Sequence, residues 1–280
     1  MIGLLLLTLR ELRAKWIVVG LFGVATVLWV LLASLLNLDV VDGTLAGMRI
    51  AGGTVSMEGG GPQELAGFSA LQQVVIVVET GVAGGAYWLG ILLALFATGA
   101  LVTSLMERGQ IDLTLSKPLS RTQVLGGRVL GVWGAMLVLF AYLFVMVWIV
   151  MAFKSEIWNP RFLLTIGIVF GMFVTMYSVT TLVSVLSGST ALALIVTYGV
   201  LFASLPLGAH SQLAPVLSPG FREAYLAAYH VLPKFPEVTG IVGRFTLRQE
   251  IPTWYPFLSS LGFGAVCYVL AFWRFGRKDF

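Results

Sequence analysis

Apolar residues in this chain do not alternate with polar ones at a helix or strand period; they come in long unbroken runs. Six are long enough to cross a bilayer, at about 16–37, 86–106, 129–152, 162–186, 190–207 and 256–273. A membrane-spanning helix needs roughly 17–25 mostly apolar residues. None of the six holds a Lys, Arg, Asp or Glu. The pattern therefore predicts an all-α membrane protein with six transmembrane helices forming one domain over 1–280. The fifth run is the shortest and is bounded by Pro206. A further apolar run, Leu71 to Val78, is separated from the second span by Glu79 and the Gly81, Gly84, Gly85 cluster, and reads as an extracytoplasmic lead-in helix.

The first fifteen residues differ from the spans. At ~100° per residue, Leu5, Leu9, Leu12 and Trp16 share one face, and Arg10, Glu11, Ala14 and Lys15 share the other. This describes a helix lying in the membrane interface, the alternative being the start of the first span. Arg10, Arg13 and Lys15 follow the short Leu4–Leu7 run instead of preceding an apolar core, so no cleaved signal peptide is expected.

Composition narrows the class. Of 280 residues, 58% are hydrophobic and 11% charged, whereas soluble domains carry about 25% charged residues. An ordinary soluble domain is excluded, and no room is left for a large soluble enzyme. With both termini cytoplasmic, Arg10, Arg13, Lys15, Arg108, Lys117, Arg121, Arg128, Arg274, Arg277 and Lys278 fall inside. Arg49, Lys154, Arg161, Arg222, Lys234, Arg244 and Arg248 fall outside, on loops about twice as long. The basic excess inside predicts this orientation over its inverse. One cysteine, Cys267, provides neither an internal disulfide nor a cysteine metal cluster.

Of the three extracytoplasmic loops, near 38–85, 153–161 and 208–255, the first and last are long. The first is glycine-rich and has two short β-favouring pieces, Met48 to Ala51 and Thr54 to Met57, that allow a hairpin around Gly52-Gly53. The last has one convincing helix, Phe221 to Val231, with Phe221, Tyr225 and Tyr229 on one face. That aromatic stripe rests on the membrane or the loop's own core, or it is a face for an extracytoplasmic partner.

Candidate chemistry is sparse. No G-x-x-x-x-G-K-[ST] motif occurs, so the chain has no P-loop of its own. Uncharged spans disfavour an ion-coupled transporter. His210 and His230 lie in the last outer loop without ligand spacing, and Ser178, Ser184 and Ser204 lack catalytic partners in the spans. No catalytic, cofactor-binding or metal site is expected, and no nucleic-acid binding. Gly127/Gly131 and Gly167/Gly171 permit close helix approach. Thr165, Thr175, Tyr177, Ser178, Thr180, Thr181 and Ser184 make the fourth span the most polar, as helix glue or as a mildly polar path.

One cytoplasmic connection is long, 107–128. Ile111 and Leu115 share a helical face, Pro118 ends that short helix, and Ser120 with Gln123 fits a capping box that starts the third span. The run Glu107, Gly109, Ile111, Leu113, Leu115, Ser116, Pro118, Leu119, Ser120, Arg121 resembles the E-x-G-T-[IL]-x-L-L-L-[ST]-x-P-[LIV]-[ST]-R segment of ABC-2-type permeases, the membrane subunits of type-2 (type V) ABC transporters. It departs at Gln110, Asp112 and Thr114. The Leu9-Arg10-Glu11-Leu12 start, Val231-Leu232-Pro233 and the closing Arg277-Lys278-Asp279-Phe280 add support.

The resemblance implies that 1–15 is an elbow helix and that 107–121 holds a coupling helix seated on a separate P-loop ATPase subunit, with Glu107, Gly109, Ile111, Asp112, Leu115, Pro118, Ser120 and Arg121 as ATPase-coupling residues. It implies a second permease copy, with ATP and Mg bound in the partner ATPase and none in this chain. The expected function is export of an amphiphilic or hydrophobic substrate across the cytoplasmic membrane of a bacterium or archaeon. The alternative is an ATPase-driven scaffold acting on an extracytoplasmic partner, with no solute crossing.

Overall fold

A computed structural model describes residues 16–41, 44–50, 53–55, 68–106 and 120–277, and the backbone alone at 17, 37–41, 44–50, 53–55 and 106. Residues 1–15 and 107–119, which hold the expected elbow helix and most of the coupling segment, lie outside the described residues.

Among the described residues six helices are long and apolar enough to cross a membrane, and they make the membrane-spanning part all-α. In chain order the elements are α1 (Trp16–Leu35), strands β1 (Leu36–Val41), β2 (Thr44–Ile50) and β3 (Gly53–Val55), α2 (Ala70–Gly85), a π turn (Ala86–Gly90) and α3 (Ile91–Thr103). There follow α4 (Arg121–Ser155), α5 (Pro160–Ser187), α6 (Thr190–Ser204), short α7 (His210–Leu213), α8 (Pro219–Val231), α9 (Phe235–Thr246) and α10 (Tyr255–Gly276). Alternating spans put Trp16, Ser104–Met106, Ser120, Gly188 and Arg277 at one end of the bundle, here the near end. Leu36, Glu156–Asn159 and 206–254 lie at the far end.

The second span corrects one expectation. Residues 70–85 are not a separate lead-in helix; α2, the π turn and α3 form one helical stretch of 34 residues. At 1.5 Å per residue that is about 51 Å, well beyond the ~30 Å hydrocarbon core. It starts on a capping box between Ser69 and Gln72, and the glycines that suggested a break stay helical. Glu79 therefore sits inside a continuous helix, and the statement that the spans lack charge fails there. It fails again in the third span. The helix that carries it begins at Arg121, on the capping box read from the sequence, which puts Arg128 two turns inside it.

At the far end the strands form a three-stranded antiparallel sheet, with Leu36 opposite Ile50 and Ile50 opposite Gly53. This includes the hairpin expected around Gly52-Gly53. β1 was not foreseen, because Leu36 and Asn37 read as the end of the first span. Helix α4 ends just beside it on Glu156 in the left-handed region, and Lys154 Nζ donates to the Leu36 carbonyl at 2.6 Å.

Helix α5 is the centre of the bundle, and its hydroxyls act as glue. Thr165, Thr175, Ser178, Thr180 and Thr181 are fully buried, and each donates to a carbonyl three or four residues back on α5; Thr180 also pairs with Thr197 of α6 at 2.9 Å. Such bonds satisfy hydroxyls where water is absent. Close approach against α10 depends on Gly171 and Gly264. A Cβ on Gly264 would stand 3.0 Å from Thr175 Cα, and one on Gly171 only 2.7 Å from Phe257 Cζ. Gly264→Val is expected to destabilise the bundle by on the order of 1–3 kcal/mol, the range for overpacking, and to lower its melting temperature in detergent.

Candidate functional site

The near end surrounds the place where 107–119 leaves and rejoins the bundle. On the outgoing side α3 closes with a tight turn, Ser104–Met106. On the returning side Ser120 caps α4: Gln123 N donates to Ser120 Oγ at 3.3 Å, and Ser120 N to Gln123 Oε1 at 3.0 Å. This is the box read from the sequence. It fixes where the helix starts, so the direction in which the chain re-enters is set within one turn. Of the coupling residues expected, Ser120 and Arg121 are described, at the cap and first position of α4. Glu107, Gly109, Ile111, Asp112, Leu115 and Pro118 lie outside the described residues.

Arg128 joins the two sides. Its side chain is 2% exposed. Nε donates to the Leu101 carbonyl at 3.0 Å and Nη2 to Ser104 Oγ at 3.1 Å, while Ser104 Oγ donates to the same Leu101 carbonyl at 3.0 Å. Leu101 belongs to the last turn of α3, whose carbonyls have no partner within the helix and carry the negative end of its dipole. A cation is favoured there. Thr103 of α3 meets Thr190 at the start of α6, Oγ1 to Oγ1 at 2.5 Å, and Thr122 of α4 packs over Gly276 of α10.

The far end holds a second polar cluster. Glu79 of α2 is 1% exposed. Asn159 Nδ2 donates to its Oε2 at 2.6 Å, and Arg248 Nε donates to Asn159 Oδ1 at 3.3 Å. Arg248 has φ of +58°, and its carbonyl accepts from Arg161. Thr80 Oγ1 donates to Thr246 Oγ1 at 2.9 Å. The cluster ties α2, the α4–α5 connection and the end of α9 together from positions scattered over some 170 residues.

In the outer loop the aromatic stripe is divided. Phe221 is 75% exposed, whereas Tyr229 is 7% exposed, stacked on His210 at 4.1 Å between centroids, with its hydroxyl donating to Glu237 Oε2 at 3.3 Å. Tyr225 donates to the Pro206 carbonyl at 2.7 Å. The two tyrosines serve the loop's own core, and a partner face on this stripe would reduce to Phe221. His210 is not a bare surface histidine, since its Nδ1 is 3.4 Å from Glu237 Oε1. Lys234 is buried with its ammonium over the rings of Tyr229 and Tyr255, at 4.6 and 4.8 Å. Burial holds that ammonium below the usual lysine range, and Glu237 opposes the shift. Burial also raises the Tyr229 phenol, reinforced by Glu237. Tyr229→Ala is expected to cost about 3 kcal/mol. Phe221→Ser should stay within about 0.5 kcal/mol, as for exposed sites generally. Thermal unfolding of the two variants checks both.

Beside Lys234, Phe235 enters the bundle. Tyr87 of the π turn donates to the Phe235 carbonyl at 2.6 Å, and the Tyr87 and Trp88 rings lie 4.4 and 4.8 Å from the Phe235 ring. Between α1, α2–α3 and α4 runs a cavity of about 660 Å³, lined by apolar residues such as Leu28, Leu32, Val78, Leu89 and Phe140.

Sequence reasoning missed Arg128, Glu79 and Lys234. In the sequence Arg128 reads as a topology-setting flank, although a helix capped at Ser120 necessarily carries it inward. Glu79 reads as a boundary, although Ser69 and Gln72 signal a helix start ten residues earlier. Nothing local marks Lys234 as buried.

Compared with known protein families, residues 9–280 match the model of the ABC-2 family transporter protein. No curated protein matches the chain.

Proposed function

The chain belongs to the ABC-2 family of transporter proteins, a multi-pass membrane protein and transporter subunit, and from this premise we propose that it is the permease driven by a separate ATPase subunit through residues 107–121. The observation that carries the reading is a family match over nearly the whole chain in a sequence with no P-loop motif. Energy from ATP then has to enter through a contact with another protein. The long connection at the near end suits that contact: it is flanked by a tight turn and a capped helix, which deliver motion into α3 and α4 without slack.

The second permease copy, both termini on the cytoplasmic side, and a bacterial or archaeal cytoplasmic membrane belong to the same reading. The basic residues of the near-end segments support the orientation.

For cargo, the proposal is outward movement of an amphiphilic or hydrophobic molecule. The wholly apolar lining of the cavity beside α1 supports this class, since such walls offer no partner to a strongly hydrated solute. The scaffold reading draws less support, because Tyr225 and Tyr229 are engaged within the loop. The test is reconstitution of the permease–ATPase complex in vesicles with a short-chain fluorescent phospholipid as probe amphiphile. ATP-dependent transfer between leaflets supports export. Hydrolysis without any transfer favours the scaffold reading.

A further inference from the structure

We infer that Arg128 is a positioning residue that makes the near ends of α3 and α4 move as one lever, so that displacement of the segment between them reaches the bundle. The inference rests on the reading of 107–121 as the contact with an ATPase.

Force on that segment reaches the bundle through the chain at its two junctions, the Ser104–Met106 turn and the first turns of α4. If the two slid past each other, a push would be absorbed by shear between them. Arg128 opposes this shear. It reaches from the second turn of α4 to two acceptors on the closing turn of α3, the Leu101 carbonyl and Ser104 Oγ. The guanidinium is a rigid planar fork, so two bonds to one turn fix rotation as well as separation. The Ser104 hydroxyl completes a triangle by donating to Leu101 O.

A purely structural role is the weaker account. Charged side chains within spans are expensive, and α3 and α4 already bury apolar side chains such as Leu101, Leu125 and Val132. A buried charge placed at the one point where the coupling segment joins both helices is explained by directional rigidity. The tie also extends outward, from Thr103 to Thr190 of α6. Three helices thereby share the near-end plate that Arg128 locks.

The experiment uses the complex of the permease with its ATPase subunit and measures how far the permease stimulates ATP hydrolysis over the isolated ATPase. Variants are Arg128→Lys, Ser104→Ala, and the two together, with Ser184→Ala as a control hydroxyl on α5. Arg128→Lys keeps the charge and can satisfy one acceptor, so the complex should assemble at wild-type stoichiometry with little change in melting temperature. Stimulation should nevertheless fall roughly tenfold, within the range of ordinary coupling energies. Ser104→Ala should fall less, and the double variant should be little worse than Arg128→Lys alone, because both act on one tie. Ser184→Ala should match wild type. Wild-type stimulation by an assembled Arg128→Lys complex overturns the inference, as does strict additivity of the two losses. A wild-type chain that binds no ATPase overturns the coupling reading beneath it, and the two failures are told apart by the stoichiometry of the purified complex.

Discussion

Replacing Ile111 and Leu115 together by Asp is expected to release the ATPase subunit and abolish its stimulation while the permease still inserts and folds. The two residues are four apart, the spacing of one face if the segment is helical, and Glu107, Arg108, Asp112, Lys117 and Arg121 stand close to them in the sequence. An apolar centre inside a charged rim is the usual anatomy of a protein contact, with the energy concentrated in the centre. Placing two carboxylates there removes the apolar contribution and leaves charges buried against the partner. Two central side chains at about 2 kcal/mol each correspond to a loss of affinity of roughly a thousandfold. Glu107→Ala and Asp112→Ala act at the rim and should weaken docking only severalfold, more so at low salt. Titration of ATPase subunit against detergent-solubilised permease measures both. If the double Asp variant bound and stimulated like wild type, the contact would lie elsewhere on the near end.

Asn159→Leu is expected to produce the largest loss of stability. Asn159 serves two charged neighbours at once, donating to Glu79 and accepting from Arg248. Glu79 Oε1 has no hydrogen-bond partner among the described residues, so losing the bond to Oε2 leaves a buried carboxyl without a hydrogen bond. Leaving a buried polar group without its hydrogen bond costs about 1–3 kcal/mol, and more for a charged one. The double variant Glu79→Gln, Asn159→Leu should recover part of that loss, because a neutral amide is cheaper to bury than a carboxylate. Thermal unfolding in detergent reads all three proteins. Equal melting temperatures for wild type and Asn159→Leu would mean that the cluster does not hold the far end together.

Much of this architecture was legible because the bilayer imposes a simple rule. A span must be long, apolar and helical, and six runs met it. Short-range chemistry was legible too, as with Ser120 and Gln123 and the turn near Gly52-Gly53. What escaped the sequence were polar residues whose partners come from far along the chain. Glu79 is acceptable inside a helix only because Asn159 and Arg248 fold over it, some 80 and 170 positions away. Arg128 is acceptable because the end of α3 presents a carbonyl and a hydroxyl. Read locally, a charge next to an apolar run looks like the run's border. The aromatic stripe on α8 shows the same limit from the other side: period alone could not say whether Tyr225 and Tyr229 face outward, and the carbonyl of Pro206 and the carboxylate of Glu237 turn them in. The centre of the candidate site, 107–119, lies outside the described residues, so its role is proposed from the sequence alone, from Ile111 and Leu115, Pro118 and the charges near them.

The most direct test of the central claim is affinity purification of the tagged chain in mild detergent, with mass spectrometry and an ATPase assay on what accompanies it. The account predicts a P-loop subunit in one-to-one ratio with the permease and measurable ATP hydrolysis in the same fraction. A well-folded chain recovered without any nucleotide-hydrolysing partner would contradict it.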